Sequence, residues 1–476
     1  MSTVKQFMAV GCPDRLALLL DSNFLGAVRE SEVVLINTIG ENGIVITSSI
    51  TLTANRTITV PLKIMKGGVI VTNGFILTIN GDFEAGNYTV FTATAGSQIV
   101  FGSSSTLKVL PEWFGALGDG TTDDTNAIQY ALNSAATARV PLVPMCKKTY
   151  RISTIAVPQY GQIISDNARR SYCVFKANSA STLLTLSNTA DTFITLMGLQ
   201  LDGNATAAAC LSTTATTDYT RIENCAFTNA AILLNLTAGG TWIYIDKCEF
   251  QRSSGTTTEQ IKLSLATIAV YISRCTFGGA VTYAIRADTS WTGDNLCISQ
   301  CTFGNSSVTD MIKLERNAAA SGNRHFCIRE CRFDGSSIGN SNINIGRYCS
   351  GAIRDNAVTA VCTYAIAIDG QFVHVDHNLI TQATTGINIT SNAQDVTISD
   401  QQQFNVTTRV ADAGLRTLIG NQQQTLKGNT AARPSGSSAP SATQYGLMYM
   451  DTDLDADGKP VWWNGTAWVD ATGAVV

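Results

Sequence analysis

Asp288, Glu315 and Asp369 are separated by 27 and 54 residues, and each ends a short segment of the same form: Ile285-Arg-Ala-Asp, Ile312-Lys-Leu-Glu and Ile366-Ala-Ile-Asp. Two carboxylates at a fixed separation are the working pair of glycoside hydrolysis. One protonates the leaving oxygen, and the other activates water or attacks the sugar. Arg286 and Lys313, inside the same segments, are suited to holding acidic groups on a substrate. If successive segments stack as neighbouring strands, the carboxylates of Asp288 and Glu315 come within about 5 Å, near the retaining geometry, while Asp369 two rungs on suits only the wider inverting one. Like charges so close are expected to raise one pKa, as a general acid requires. Gly346 leaves a rung free of side chain, and Trp291 and Tyr364 are the stacking candidates for a sugar ring. The alternative is a solvated face on which Arg286, Asp288, Lys313 and Glu315 merely neutralise one another.

A rival cluster gathers all three histidines, His325, His374 and His377, with Arg329, Glu330, Arg354, Asp355 and Asp376. Cations beside a candidate base suit β-elimination, which neutralises a uronate carboxylate and removes the adjacent proton. Polar turn surface is the plainer account of these residues.

Such columns exist only if a repeat positions them. The phrase Ile-x-x-Cys-x-Phe recurs at Ile222, Ile245, Ile272, Ile298 and Ile328, with a weaker copy from Leu196 and three more from Ile353, Val375 and Ile398. The mean period is about 25 residues, shorter than ankyrin or tetratricopeptide spacing. Apolar residues alternate within each phrase, and a second alternating run follows (Ile261, Ile285, Ile312, Ile343, Ile366, Ile387). Two or three short strands per turn predict a parallel β-helix, because one coil cannot bury its inner face alone whereas a stack can. One outward column of the second strand is expected to run Leu233, Lys262, Arg286, Lys313, Asn344, Ala367, Asn388. Its neighbour is expected to run Asn235, Ser264, Asp288, Glu315, Gly346, Asp369, Thr390.

The five phrase cysteines are spaced 23, 27, 26 and 30 residues apart, no CxxC pair occurs, and the thirteen cysteines are odd in number. Buried thiols laddered at a turn are favoured over a metal site or a disulfide framework, with Asn356 and Asn378 continuing the rung. Neither metal nor cofactor is expected. The whole chain of 476 residues carries 32 basic and 36 acidic residues, a net charge of −4 that excludes nucleic-acid binding by bulk phosphate neutralisation. Charged residues make up only 14% of it, about half the usual ~25%, so Ser, Thr, Asn and Gly supply the polar surface. No apolar run approaches the ~18 residues of a membrane span, and no signal peptide is read, so synthesis in a cytoplasm without membrane insertion is expected.

The segment Glu112-Trp-Phe-Gly-Ala-Leu-Gly-Asp-Gly-Thr-Thr-Asp-Asp-Thr-Asn-Ala-Ile-Gln-Tyr-Ala-Leu resembles the opening motif of the pectate-lyase-like superfamily, in the branch found in bacteriophage tailspikes and tail fibres. The likeness is close from Pro111 to about Ile152 and extends in pattern to about residue 405, with no glycine ahead of Tyr150. In this segment Asp119, Asp123 and Asp124 read as loop and cap residues in preference to a calcium or catalytic cluster, and a helix over about 123–137 is expected to cover the open end of the stack. The resemblance implies an all-β, right-handed parallel β-helix and a homotrimer in the virion tail. It also implies attachment to a tail or baseplate protein through the N-terminus, and binding and depolymerisation of a bacterial surface polysaccharide. Hydrolysis is the first choice, a lyase the second, and a non-catalytic receptor-binding fibre the alternative. The organisation expected is a head over 1–35 with a possible helix from Pro13 to Gly26, short β coils over 36–110, the main β-helix over 111–410, a linker over 411–440 and a small β module over 441–476. Trp462, Trp463 and Trp468 of that module are read as packing residues more than as sugar platforms.

Overall fold

The computed structural model describes residues 33–38, 41–167, 172–186, 193–252, 257–306, 309–316, 324–335, 338–419, 426–428 and most of 448–476. The head from 1 to 32 and the Pro/Ser/Gly linker around 431–442 lie outside the described residues. The main body is a right-handed parallel β-solenoid with coils about 25 residues apart. An eleven-stranded sheet forms one wall, and a 22-stranded sheet folds around the rest. Its register is the one the repeat predicts. Ile222, Ile245, Ile272, Ile298, Ile328, Ile353, Val375 and Ile398 align rung on rung.

Stacking a repeat places like on like, and the core is therefore a set of ladders. Phe227, Phe250, Phe277, Phe303 and Phe333 stack with ring centroids 4.6–5.0 Å apart, all fully buried. Each such burial stabilises by about 1.5–3 kcal/mol relative to exposure. Cys225, Cys248, Cys275, Cys301 and Cys331 form the adjacent ladder as free buried thiols directed at backbone carbonyls, for example Cys248 to Ile222 O at 3.6 Å. Asn356 and Asn378 take over that rung: Cys331 N donates to Asn356 Oδ1 at 2.9 Å and Asn356 N to Asn378 Oδ1 at 3.0 Å. Just before this rung the chain turns its corner through a left-handed residue in every coil, from Asn224 (φ 52°) through Arg274 (φ 53°) and Asp355 (φ 56°) to Asp400 (φ 47°).

Helix α1 (Thr125–Ala138) buries Ile128, Ala131, Leu132 and Ala135 as its spacing predicts. Parallel bridges carry Val109 onto Leu142 and Leu142 onto Ile163, and α1 packs against the strand Gln98–Phe101, so the small coils stack on one side of it and the large coils on the other. The helix thus packs within one continuous core, against Gln98–Phe101 on one side and the strands Ile155–Val157 and Gln162–Ile164 of the first large coils on the other. Asp119 accepts from the backbone of Thr121 and Thr122 at 2.8 Å each, and Asp124 from Leu117 N and Gly118 N at 2.7 and 3.0 Å. Asp123 accepts from Thr125 N at 3.0 Å, so each of the three carboxylates binds backbone of the loop or of the first helical turn. At the other end Trp463 and Trp468 pack against each other and Tyr449 in a small core of their own.

Candidate functional site

Strand pairing sets Lys262, Arg286, Lys313, Asn344, Ala367 and Asn388 on successive rungs. The rung below is Asn235 and not the expected Leu233, which is fully buried. Alternation read from the short run around Leu233 slips by two because the strand Ile232–Leu236 begins at a corner. One residue past each strand, Asp288 N donates to Leu263 O, Glu315 N to Ala287 O, Gly346 N to Leu314 O and Asp369 N to Ile345 O, so the second column keeps its predicted order from Ser264 onward. A Cβ on Gly346 would lie 2.7 Å from Leu314 O, so this rung beside Glu315 is bare by steric necessity.

The side chains build an alternating network. Arg286 donates to Glu315 Oε2 at 3.1 Å and to Glu259 Oε1 at 3.0 Å. Lys313 reaches Glu315 Oε1 at 3.1 Å, and Lys262 lies 3.6 Å from Asp288 Oδ2 and 3.9 Å from Glu259 Oε2. Tyr283 lies beneath both cations, its centroid 4.9 Å from the Arg286 guanidinium and 5.6 Å from Lys313 Nζ. These ionic side chains are sunken, with Asp288 16% and Glu315 21% exposed. Asp288 also accepts from Ser264 Oγ at 2.5 Å and from Ser290 N and Oγ at 2.9 and 2.6 Å. Burial pushes its pKa up, but the Ser264 and Ser290 hydrogen bonds and the Lys262 charge outweigh burial and hold it below the usual carboxylate value. The raised pKa expected of a carboxylate pair is therefore not found at Asp288, whose ionised form is favoured instead. Asp369 sits two rungs beyond Glu315 and accepts from Thr390 and from Asn392 at 3.0 Å.

Trp291 corrects the sequence reading. It is 1% exposed, with its indole N–H given to Thr267 O at 3.2 Å, so it is a core residue and offers no stacking surface. Tyr364 is half-buried, in the column that runs Glu259, Tyr283, Asp310, Ser341, Tyr364 and Thr385. The sequence reading missed Glu259, Tyr283 and Asp310. Simple alternation directs them into the apolar core, but two successive residues behind them are buried at this corner (Gln260-Ile261, Ala284-Ile285, Met311-Ile312), and the residue ahead lies beside the charged column, with Glu259 and Asp310 buried and Tyr283 half-buried. The recurrence of Glu259, Tyr283 and Asp310 three residues before Lys262, Arg286 and Lys313 was the signal available.

Arg354 and His374 do not join this group, because they lie on strands of the eleven-stranded sheet, aligned with Arg329 and with Ala352. His325, 73% exposed, lies 3.7 Å from Asp294. His377 lies 2.8 Å from Asp376 and 3.8 Å from Asp400, and the Asp376 hydrogen bond and charge raise its pKa.

Residues 112–319 match the family model described as rhamnogalacturonase A/epimerase, pectate lyase-like. No curated protein matches the chain. Among solved structures, tailspike protein 3 of bacteriophage CBA120 is similar at 17% identity over 77% of this chain and 69% of its own, with a TM-score of 0.40. The exopolygalacturonase of Thermotoga maritima is 10% identical over 67% of this chain and 92% of its own, with a TM-score of 0.40. The N-terminal fragment of bacteriophage Phi29 gene product 12 is 14% identical over 65% of this chain and 66% of its own, with a TM-score of 0.41. The protein is thus a right-handed parallel β-solenoid whose residues 112–319 are similar to the pectate-lyase-like rhamnogalacturonase A/epimerase family.

Proposed function

We propose that this protein is a phage tail depolymerase that binds an acidic bacterial surface polysaccharide along the outer face of its solenoid and hydrolyses it at the Asp288–Glu315 rungs. The observation that carries this reading is a sunken carboxylate with a lowered pKa, Asp288, one rung from Glu315, which in turn lies beside the bare rung of Gly346. In this reading Asp288 is the base or nucleophile, and Glu315 is the proton donor. Glu315 is engaged by Arg286 and Lys313. A uronate or other acidic sugar competes for those two cations, and Glu315, freed of them, takes up a proton from water and passes it to the glycosidic oxygen. Glu259 supports Arg286 from beneath, and Asp369 serves the substrate two rungs away. A homotrimer attached to the tail through its N-terminal head would present three such faces and raise avidity without new contacts.

β-Elimination at the histidine cluster has less support, since His377 is committed to Asp376 and biased toward its protonated form, the wrong state for a base. The deciding experiment incubates the protein with capsular and lipopolysaccharide preparations from a panel of bacteria, reading new reducing ends together with the ultraviolet absorbance of unsaturated uronides. Reducing ends without absorbance, abolished in Asp288→Asn, are expected. Both signals together would move the chemistry to elimination, and binding without either would make the protein an adhesin.

A further inference from the structure

The eleven-stranded sheet carries a chemical juxtaposition separate from the carboxylate network. Strands Leu296–Ser299 and Arg324–Arg329 pair in parallel with Cys297 directly opposite Cys327. Ile298 and Ile328 beside them are fully buried, so alternation turns both cysteines outward, into a column that runs Tyr271, Cys297, Cys327, Ala352 and His374. Both are partly exposed, unlike the buried ladder from Cys225 to Cys331. Opposed residues on neighbouring strands stand about 4.8 Å apart, inside the ~4.4–6.8 Å Cα separation that a disulfide spans. The pair is also electronically asymmetric. The hydrogen bond from Cys327, and after it the Arg329 guanidinium, outweigh burial and bring the Cys297 thiol down to about 6, while the same bond pushes Cys327 up. One rung is thus biased toward thiolate, and the next holds a thiol in contact with it, with Arg329 and Arg354 as the cations nearby.

We propose that Cys297 and Cys327 form a surface dithiol that low-molecular-weight disulfides oxidise to a cross-coil disulfide, stapling two successive coils of the solenoid. The Cys297 thiolate attacks one sulfur of the reagent, forming a mixed disulfide and expelling one thiolate. Cys327, losing its proton to solvent, then attacks the Cys297 sulfur, closing the protein disulfide and expelling the second thiolate. Two electrons pass from the protein to the reagent, and no other oxidant is needed. The ladder cysteines, enclosed on every side, take no part. A chain that coils in a reducing compartment and later meets an oxidising medium gains the staple after its register is set.

The test exposes the native full-length protein at neutral pH to an aromatic disulfide whose released thiolate is coloured, followed by peptide mapping. The expected result is a fast release of two equivalents from this pair, no aryl adduct on either residue, and a linked 297–327 peptide lighter by two hydrogens. Cys327→Ser is expected to halve that release and to leave the aryl group on Cys297. Cys297→Ser is expected to slow reaction at Cys327 by about tenfold or more. The wild-type map is decisive even if a variant misfolds. Adducts retained on both residues without a link, or labelling of Cys297 no faster than that of Cys248 and Cys275, would overturn the proposal.

Discussion

Asp288 shows how a single side chain reports its surroundings. Its folded pKa is depressed because Ser264, Ser290 and Lys262 stabilise the ionised form more than burial destabilises it. A depressed carboxylate contributes stability that is present above its unfolded value of ~3.9 and lost as the pH falls through the folded value. Asp288→Asn is therefore expected to flatten the acid side of the stability curve, measured as urea midpoint against pH between about 5 and 2. In the proposed depolymerase the same variant is expected to lose activity by about 100-fold or more at neutral pH while keeping its circular dichroism spectrum. Retained activity would remove Asp288 from the chemistry and leave it as a partner of Lys262. Asp288, Glu315 and their cations were legible in the sequence because equal spacing along a stacked repeat becomes adjacency in space. Trp291 was not, because it belongs to an irregular return loop, where alternation says nothing about side-chain direction.

At the scale of the element, the unit is the coil, and two of its features are open to mutation. Phe277 is stacked on both faces, at 5.0 Å from Phe250 and 4.6 Å from Phe303. Phe277→Ala opens a cavity that neighbours fixed by two sheets cannot fill, and is expected to cost about 3–5 kcal/mol in urea denaturation. The corner residue Asp355 holds a left-handed conformation, φ 56°, which asparagine and glycine tolerate and a β-branched residue resists. Asp355→Asn is thus expected to be near neutral, and Asp355→Val to destabilise by about 1–2 kcal/mol. Equal stability of the two variants would show that the corner relaxes. Strand order and register were readable from Ile-x-x-Cys-x-Phe, but the corner before each second strand was not. Consecutive buried residues interrupt the alternation there, and Glu259, Tyr283 and Asp310 meet polar partners of the neighbouring coils as a result.

At the scale of the molecule, ladders of identical residues make neighbouring coils mutually dependent, so stability accumulates along the axis from contacts between adjacent coils. One core runs from Ile46 to Ile398 through both coil sizes, with α1 inside it. The proposed trimer is tested by light scattering, where a threefold mass that does not change on dilution is expected. A monomer at micromolar concentration would remove the tail-spike assembly while leaving the groove chemistry to its own test.

By itself the sequence determined the solenoid, its period of about 25 residues, the Phe and Cys ladders and the rung order of Asp288, Glu315, Gly346 and Asp369. A short repeat has only one way to bury its apolar stripe, which is to stack in register. The tertiary structure alone decided which cation each carboxylate meets, that the pKa of Asp288 is lowered, that Trp291 lies in the core, and that Glu259 and Tyr283 join the charged network. Those outcomes depend on side-chain direction at corners and return loops and on contacts between successive coils, which the backbone geometry of the stack sets and the order of residues along one coil does not.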